Sequence, residues 1–206
     1  MNQTGKSNNS IARHCYHTVP LSPSQNKDNR ESKEDKFYYF AYGSCMCPVD
    51  LQRSLGENMV PYLVGTAILE HHRLGFYRRS PKRDCGVLDV VADPGKHVHG
   101  VLYHLPWRLS ELLDYREEVP TNGYCRAEIK VHCGDRSIDN VRTYMVVNKL
   151  PQELPPNDWY FNVVLRGAVT CGLPEEYCWY LFNHMRSLQS FPKTHSPLRR
   201  RDHHAA

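Results

Sequence analysis

Two short stretches of this 206-residue chain put reactive side chains where chemistry would use them. The first is Tyr42-Gly43-Ser44-Cys45-Met46, directly after the run FYYFAY and before a helix expected to start near Pro48. A loop that leaves a strand and enters a helix presents unpaired backbone N–H groups, which suit a carboxylate or a developing oxyanion. Gly43 lets the backbone approach a ligand closely. The second is Leu113-Asp114-Tyr115-Arg116-Glu117-Glu118-Val119-Pro120, which ends an amphipathic segment. Glu117, four residues after Leu113, falls on the face that Leu109, Leu112 and Leu113 define. A carboxylate there is either capped by a partner such as Arg116 or Arg126 or held in a cavity. Partial burial would raise its pKa and make it a better proton acceptor near neutrality. Glu118 points about 100° away and is expected in solvent. The plainer alternatives are an ordinary strand–helix turn and a surface acid at a helix end.

Other constellations compete. Cys45-x-Cys47, His71-His72, His97-x-His99 and His132-Cys133 raise zinc, but none has the paired Cys-x2–4-Cys spacing of a structural site. No metal and no cofactor is therefore expected. Cys45 as a nucleophile would need a histidine base, and no fixed partner is visible. Trp107, Trp159 and Trp179 are expected in the core or lining a pocket rather than as a base-stacking platform.

The elements that must position these residues are mostly strands. FYYFAY, PYLVGTAIL, HRLGFYR, GVLDVVA and HVHGVLYHL are β-rich, and Asp93-Pro94-Gly95 predicts a hairpin between the last two. WRLSELLDYRE carries the amphipathic stripe of a helix. YCRAEIKVHC and VRTYMVVN read as paired strands around GDRS, and DWYFNVVLRGAV and EEYCWYLFNHMRSL as helices separated at Gly172-Leu173-Pro174. The fold class predicted is α+β, a small, mixed, mainly antiparallel β-barrel with interspersed and C-terminal helices.

Bulk properties narrow the function classes. Residues 1–36 are polar with little apolar periodicity, predicting a disordered N-terminal tail, and the pattern fades again after Ser190. The folded domain is expected at 37–190, with a basic C-terminal tail at 191–206. The net charge is +4, of which +2 (six basic, four acidic) lies in 1–36 and +3 (four basic, one acidic) in 191–206. The core is thus near −1, and the basic balance belongs to the tails, which argues against nucleic acid as a partner. The longest apolar runs fall far short of the roughly 18–20 residues that span a bilayer, so no membrane partner is expected. The first residues lack an apolar h-region, which favours the cytoplasm, and the eight cysteines then read as free thiols.

Taken together, YFAYGSxM near the start of the domain and LDxxE followed by V-P-x-x-x-Y resemble the γ-glutamylcyclotransferase family. The LVGTAxLxxHRLGF segment matches in order, as does G-x-x-D-V-V…PG…V-x-G-V-L-Y. So do Tyr160, seven residues before Gly167-Ala168, and Gly172-Leu173-Pro174-x-x-Tyr177. The likeness covers 37–188, and YGSC with LDYRE looks closest to a bacterial branch.

The resemblance implies a small mixed barrel that cleaves a γ-glutamyl amine or amino acid to 5-oxoproline and a free amine, without a cofactor. It assigns general acid/base work to Glu117. The γ-glutamyl group would be held by Tyr42, Gly43, Ser44, Cys45 and Met46, with Tyr124 and Tyr160 lining the site. Two positions depart from the pattern. Cys45 stands where many relatives have Asn. Glu118 stands where many have Gly, where it would raise the pKa of Glu117 or narrow the pocket mouth. The rival readings are a same-fold protein that binds γ-glutamyl or small carboxylate ligands without turnover, and an interaction protein acting through its basic C-terminal tail. The departing amine and the oligomeric state stay open.

Overall fold

The computed structural model describes residues 34–190; of the two expected tails only 34–36 fall within that range, and Lys36 already opens the first strand. Five strands, β1 (Lys36–Ala41), β2 (Leu63–Ser80), β3 (Cys85–Pro106), β4 (Tyr124–Cys133) and β5 (Arg136–Val146), close into a barrel in the order β1-β3-β2-β4-β5. All ladders are antiparallel except β1 with β5, which run parallel and meet at Tyr39 and Arg142. The sheet is mixed and mainly antiparallel, as the strand patterns predict. Four helices accompany it: α1 (Pro48–Leu55), α2 (Ser110–Arg116), α3 (Asp158–Thr170) and α4 (Glu175–Ser190).

Two strands are longer than the sequence pattern predicts. PYLVGTAIL and HRLGFYR fuse into β2, with His71 at φ 58° marking the irregularity where the two halves join. The hairpin expected at Asp93-Pro94-Gly95 is absent. GVLDVVA and HVHGVLYHL do not pair with each other. Both lie antiparallel to β2, Val91 opposite Arg73 and Val98 opposite Leu69, so the chain runs on through one continuous β3. The Pro-Gly pair sits opposite the β2 irregularity, with Gly95 at φ 82°, and marks a bulge rather than a reversal. The real reversal is the turn at 81–84, where the Asp84 N–H donates to the Ser80 carbonyl (2.8 Å).

The stripe of the second helix also needs correction. Leu109 and Leu113 are buried, but Leu112 is 47% exposed. Leu109 belongs to a 3₁₀ turn (Trp107–Leu109) that precedes α2, and the tighter winding rotates Leu112 out of line. The three tryptophans are not core either: each is about half exposed, Trp107 beside Phe37 and Arg142, Trp159 beside Arg83, Trp179 beside Phe182. The core is filled instead by Phe40, Met46, Leu74, Phe76, Tyr103, Leu113 and Val164. The seven described cysteines are free thiols, while Cys15 lies outside the described residues. Among the described residues no helix is long and apolar enough to cross a membrane.

Candidate active site

β1 delivers the first stretch. Phe40 and Ala41 are buried in the barrel wall, and the chain leaves it at Tyr42-Gly43 to form a 3₁₀ turn (Ser44–Met46) that runs into α1. Pro48 at the first turn of α1 and Gly56, left-handed at φ 80°, delimit that helix as their backbone preferences require. The first N–H groups of such a turn have no acceptor within it. Gly43 packs closely on its neighbour: a Cβ there would stand 3.2 Å from the Tyr160 hydroxyl and push it by a few tenths of an ångström.

The second stretch arrives on α2. Leu113 anchors that helix in the core, Asp114 takes hydrogen bonds from Arg126 and from the Tyr144 hydroxyl (2.7 Å), and Ser110 accepts from Arg142 (2.7 Å). Glu117 is the residue at which α2 ends, its N–H still bonded to the Leu113 carbonyl (3.0 Å) and its side chain only 14% exposed. Of the two arginines considered as its partners, Arg116 approaches to 3.9 Å, whereas Arg126 belongs to Asp114.

Between the two stretches stands Cys45. Its thiol donates to Glu117 Oε1 (2.9 Å), and its sulfur accepts from Arg116 Nε (2.8 Å). Arg116 extends the network. It donates to Ser44 Oγ (3.2 Å), Asp50 Oδ2 (2.9 Å) and Ser54 Oγ, tying α2 to the loop and to α1. Burial, with the Glu117 carboxylate added against the opposing pull of Arg116, pushes the Cys45 thiol up to about 12, so it stays protonated and keeps donating. Its partners are an arginine and a carboxylate, not a histidine.

Three tyrosines close the cleft. Tyr42 donates to the Tyr144 carbonyl (2.6 Å) and Tyr124 to the Leu88 carbonyl (2.8 Å), while Tyr160 accepts from the Leu88 N–H (3.1 Å). One β3 residue, Leu88, thus positions two rings. Tyr160 rides on the first turn of α3, whose N-cap Asn157 accepts from the Tyr160 N–H (2.9 Å). Burial first, then the surrounding acids, hold all three hydroxyls well above the usual tyrosine range, so they remain hydrogen-bonding phenols.

Glu118 is not in solvent. Its side chain pairs with Arg78 and lies 3.9 Å from Lys82 Nζ. Its backbone is left-handed at φ 56°, a conformation that glycine adopts freely and other residues adopt at a cost. Here the ion pair accompanies the strain, and the neighbouring Gly123 makes room for it, since a Cβ there would collide with both partners at 2.7 Å.

The resulting cleft gathers Glu117, Tyr42, Gly43, Ser44, Cys45, Tyr124 and Tyr160. Met46 is not among its lining residues. That side chain is in the core, and its carbonyl accepts from the Tyr103 hydroxyl (2.9 Å). The cleft also takes in residues that sequence patterns missed: Tyr39, Tyr144, Arg78, Ser80 and Arg83. Among the described residues no three His, Cys, Asp or Glu side chains are grouped to hold a metal; His97 and His99 meet edge to face, their ring centres 5.1 Å apart.

A closed five-stranded barrel, with a loop from its first strand facing a helix-end glutamate, defines a γ-glutamylcyclotransferase-like fold. The AIG2-like family profile matches residues 97–181. Human γ-glutamylcyclotransferase is 28% identical over 155 residues, covering 73% of this chain and 80% of that protein. YkqA of Bacillus subtilis (strain 168), provisionally named a γ-glutamylcyclotransferase, is 28% identical over 176 residues, covering 84% of this chain. The chain spans 62% of that protein's length. A solved structure of a γ-glutamyl cyclotransferase superposes with a TM-score of 0.65 at 27% identity, over 71% of this chain and 86% of the other. The chain is thus similar to the AIG2-like family and to γ-glutamylcyclotransferases, whose fold it shares.

Proposed function

We propose that the protein cyclises the γ-glutamyl group of a small amine or amino-acid derivative, releasing 5-oxoproline and the free amine. The observation that carries this reading is the placement of the Glu117 carboxylate, pinned through Oε1 by Cys45, in the same cleft as the loop at 42–45. The substrate's α-ammonium loses a proton to Glu117, and the freed amine attacks the γ-carbonyl carbon to close a five-membered ring. The carbonyl electrons move onto oxygen; they return as the bond to the departing nitrogen breaks, Glu117 gives that nitrogen the proton it took, and the ring nitrogen sheds its surplus proton, so that the amine is released as an ammonium. Nucleophile and electrophile share one molecule, so the gain comes from orientation, and neither an enzyme nucleophile nor a metal is needed.

The residues divide the work. The loop N–H groups face the developing oxyanion. Ser44 Oγ accepts from Arg116, which leaves its own proton to give to the substrate. Tyr160 accepts from Leu88 and likewise has its proton to offer. Tyr42 and Tyr124 have given theirs to backbone carbonyls and act as walls. The 37–190 domain is proposed to act in the cytoplasm on a small-molecule substrate.

The test is incubation with γ-glutamyl amino acids, glutathione and γ-glutamyl amines while 5-oxoproline is followed. No product from any of them sinks the enzyme reading. Saturable binding without product would establish the same-fold binding protein in its place.

A further inference from the structure

Helix α1 carries two polar side chains, Asp50 and Ser54, that the reaction described above does not use. They stand four residues apart and so share one face of the helix. Neither lines the cleft, yet the Asp50 side chain is only 6% exposed. A buried acid needs a partner, and the first turn of a helix favours its negative charge. The partner is Arg116: Asp50 Oδ2 accepts from Nη2 (2.9 Å), and Ser54 Oγ accepts from Nη1.

Arg116 is itself buried, and its hydrogen bonds run to α1 and to the loop. Beyond Asp50 and Ser54, Nη2 donates to Ser44 Oγ (3.2 Å) and Nε to Cys45 Sγ (2.8 Å). None runs to Glu117, its neighbour in sequence. Glu117 Oε1 lies 3.9 Å from Nε and takes the Cys45 thiol instead, at 2.9 Å. A direct guanidinium–carboxylate bond is about 2.7–2.9 Å long, so a shift of roughly 1 Å separates this arrangement from an ion pair. That shift matters to the chemistry. A carboxylate in direct contact with a guanidinium is held in its charged form and is a poorer acceptor for a substrate proton.

Resting on the cyclisation reading, we infer that Asp50 is a positioning residue for the general base. As the counter-ion of Arg116 it keeps the guanidinium on Ser44 and Cys45 and off Glu117, so that the Glu117 carboxylate stays free to take the substrate's proton. Asp50 touches neither the cleft nor Glu117 and acts through Arg116 alone. Without the Asp50 charge, the buried cation turns to Glu117, the other acid it approaches among the described residues. Ser44 and Cys45 lose their donor in the same movement.

The experiment measures kcat for γ-glutamyl-alanine in Asp50→Asn, Asp50→Glu, Arg116→Met and the double variant Asp50→Asn/Arg116→Met. Asp50→Asn keeps the shape and removes the charge, and a fall of about 10–100-fold is expected from an opposite charge brought onto the base. Asp50→Glu restores the charge and recovers most of that loss. In Arg116→Met protein, adding Asp50→Asn lowers kcat no further, because the residue it acts through is already gone. The double variant removes both buried charges together, so it holds its fold where a lone charge would not. A crystal structure of Asp50→Asn protein reads the geometry without turnover, and direct contact between Arg116 and Glu117 is the expected result. An Asp50→Asn enzyme within about threefold of the wild type, or an equal further loss in the Arg116→Met background, overturns the role. So does a structure in which Arg116 stays on Cys45. If wild-type protein forms no 5-oxoproline, the cyclisation reading fails by itself, and the same structure still decides whether Asp50 holds Arg116 off Glu117. Turnover with additive losses keeps the cyclisation and removes Asp50 from it.

Discussion

Cys45 gives its thiol proton to Glu117 and receives a hydrogen bond from Arg116, so one small side chain joins the glycine loop of β1 to the end of α2. An asparagine here, the residue that the family resemblance implies, would be longer and offer an amide donor. The thiol reaches the carboxylate with a weaker donor, and it does so because burial keeps it protonated. The exchange changes the strength of the contact on Glu117 without removing it.

Breaking that contact has a structural cost that a conservative change avoids. Cys45→Ala leaves the buried Arg116 Nε without its acceptor, for an expected loss of about 1–3 kcal/mol by urea denaturation. Cys45→Ser keeps an acceptor and a donor and is expected to lose less than half of that. An alanine variant as stable as the wild type would show that the network contributes nothing.

The thiol itself should be inert. Thiolate is the reactive form, and a thiol near 12 is ionised to about one part in 10⁴ at pH 8. Iodoacetamide at pH 8, followed by peptide mass spectrometry, should label the exposed Cys125 while Cys45 remains unmodified in the folded protein. Equal labelling of the two would mean that Cys45 is neither buried nor raised.

Acid should loosen α2 through Asp114. Burial works against its charge, but the hydrogen bonds from Arg126 and Tyr144 prevail and hold its carboxyl below the ordinary value of 3.8. A depressed folded-state pKa contributes stability above the unfolded value, and that stability is lost as pH falls through the folded one. Asp114→Asn should therefore lower the urea midpoint at pH 7 and shrink the further fall between pH 4 and pH 2. A variant with an unchanged acid limb would rule Asp114 out as a contributor.

Much of this was legible in the residues. Strand identities, the α3 and α4 boundaries and the pairing of β4 with β5 follow from local pattern and turn chemistry. Glu117 and the loop at 42–45 follow from ordered motifs. The single long β3 did not, because Asp93-Pro94-Gly95 has hairpin chemistry whether the partner strand is the next segment or an earlier one. Register with β2, a tertiary fact, decides that. Glu118 was misplaced for a related reason: a 100° step assumes that the helix continues, whereas α2 ends at Arg116 and residue 118 is left-handed. Tyr39, Tyr144, Arg78, Ser80 and Arg83 reach the cleft from four separate strands and turns. Only barrel closure brings them together, and no local spacing records it.

The central claim is that Glu117 moves the proton of an intramolecular cyclisation. Its most direct test is the rate of 5-oxoproline formation from γ-glutamyl-alanine by wild-type protein and by Glu117→Gln, with matched far-UV circular dichroism. The side chains are nearly isosteric, and the glutamine still accepts the Cys45 hydrogen bond, so the fold should be kept. A loss of roughly 10²–10⁴ in kcat is the predicted result. A variant that turns over within about threefold of the wild type would contradict the assignment.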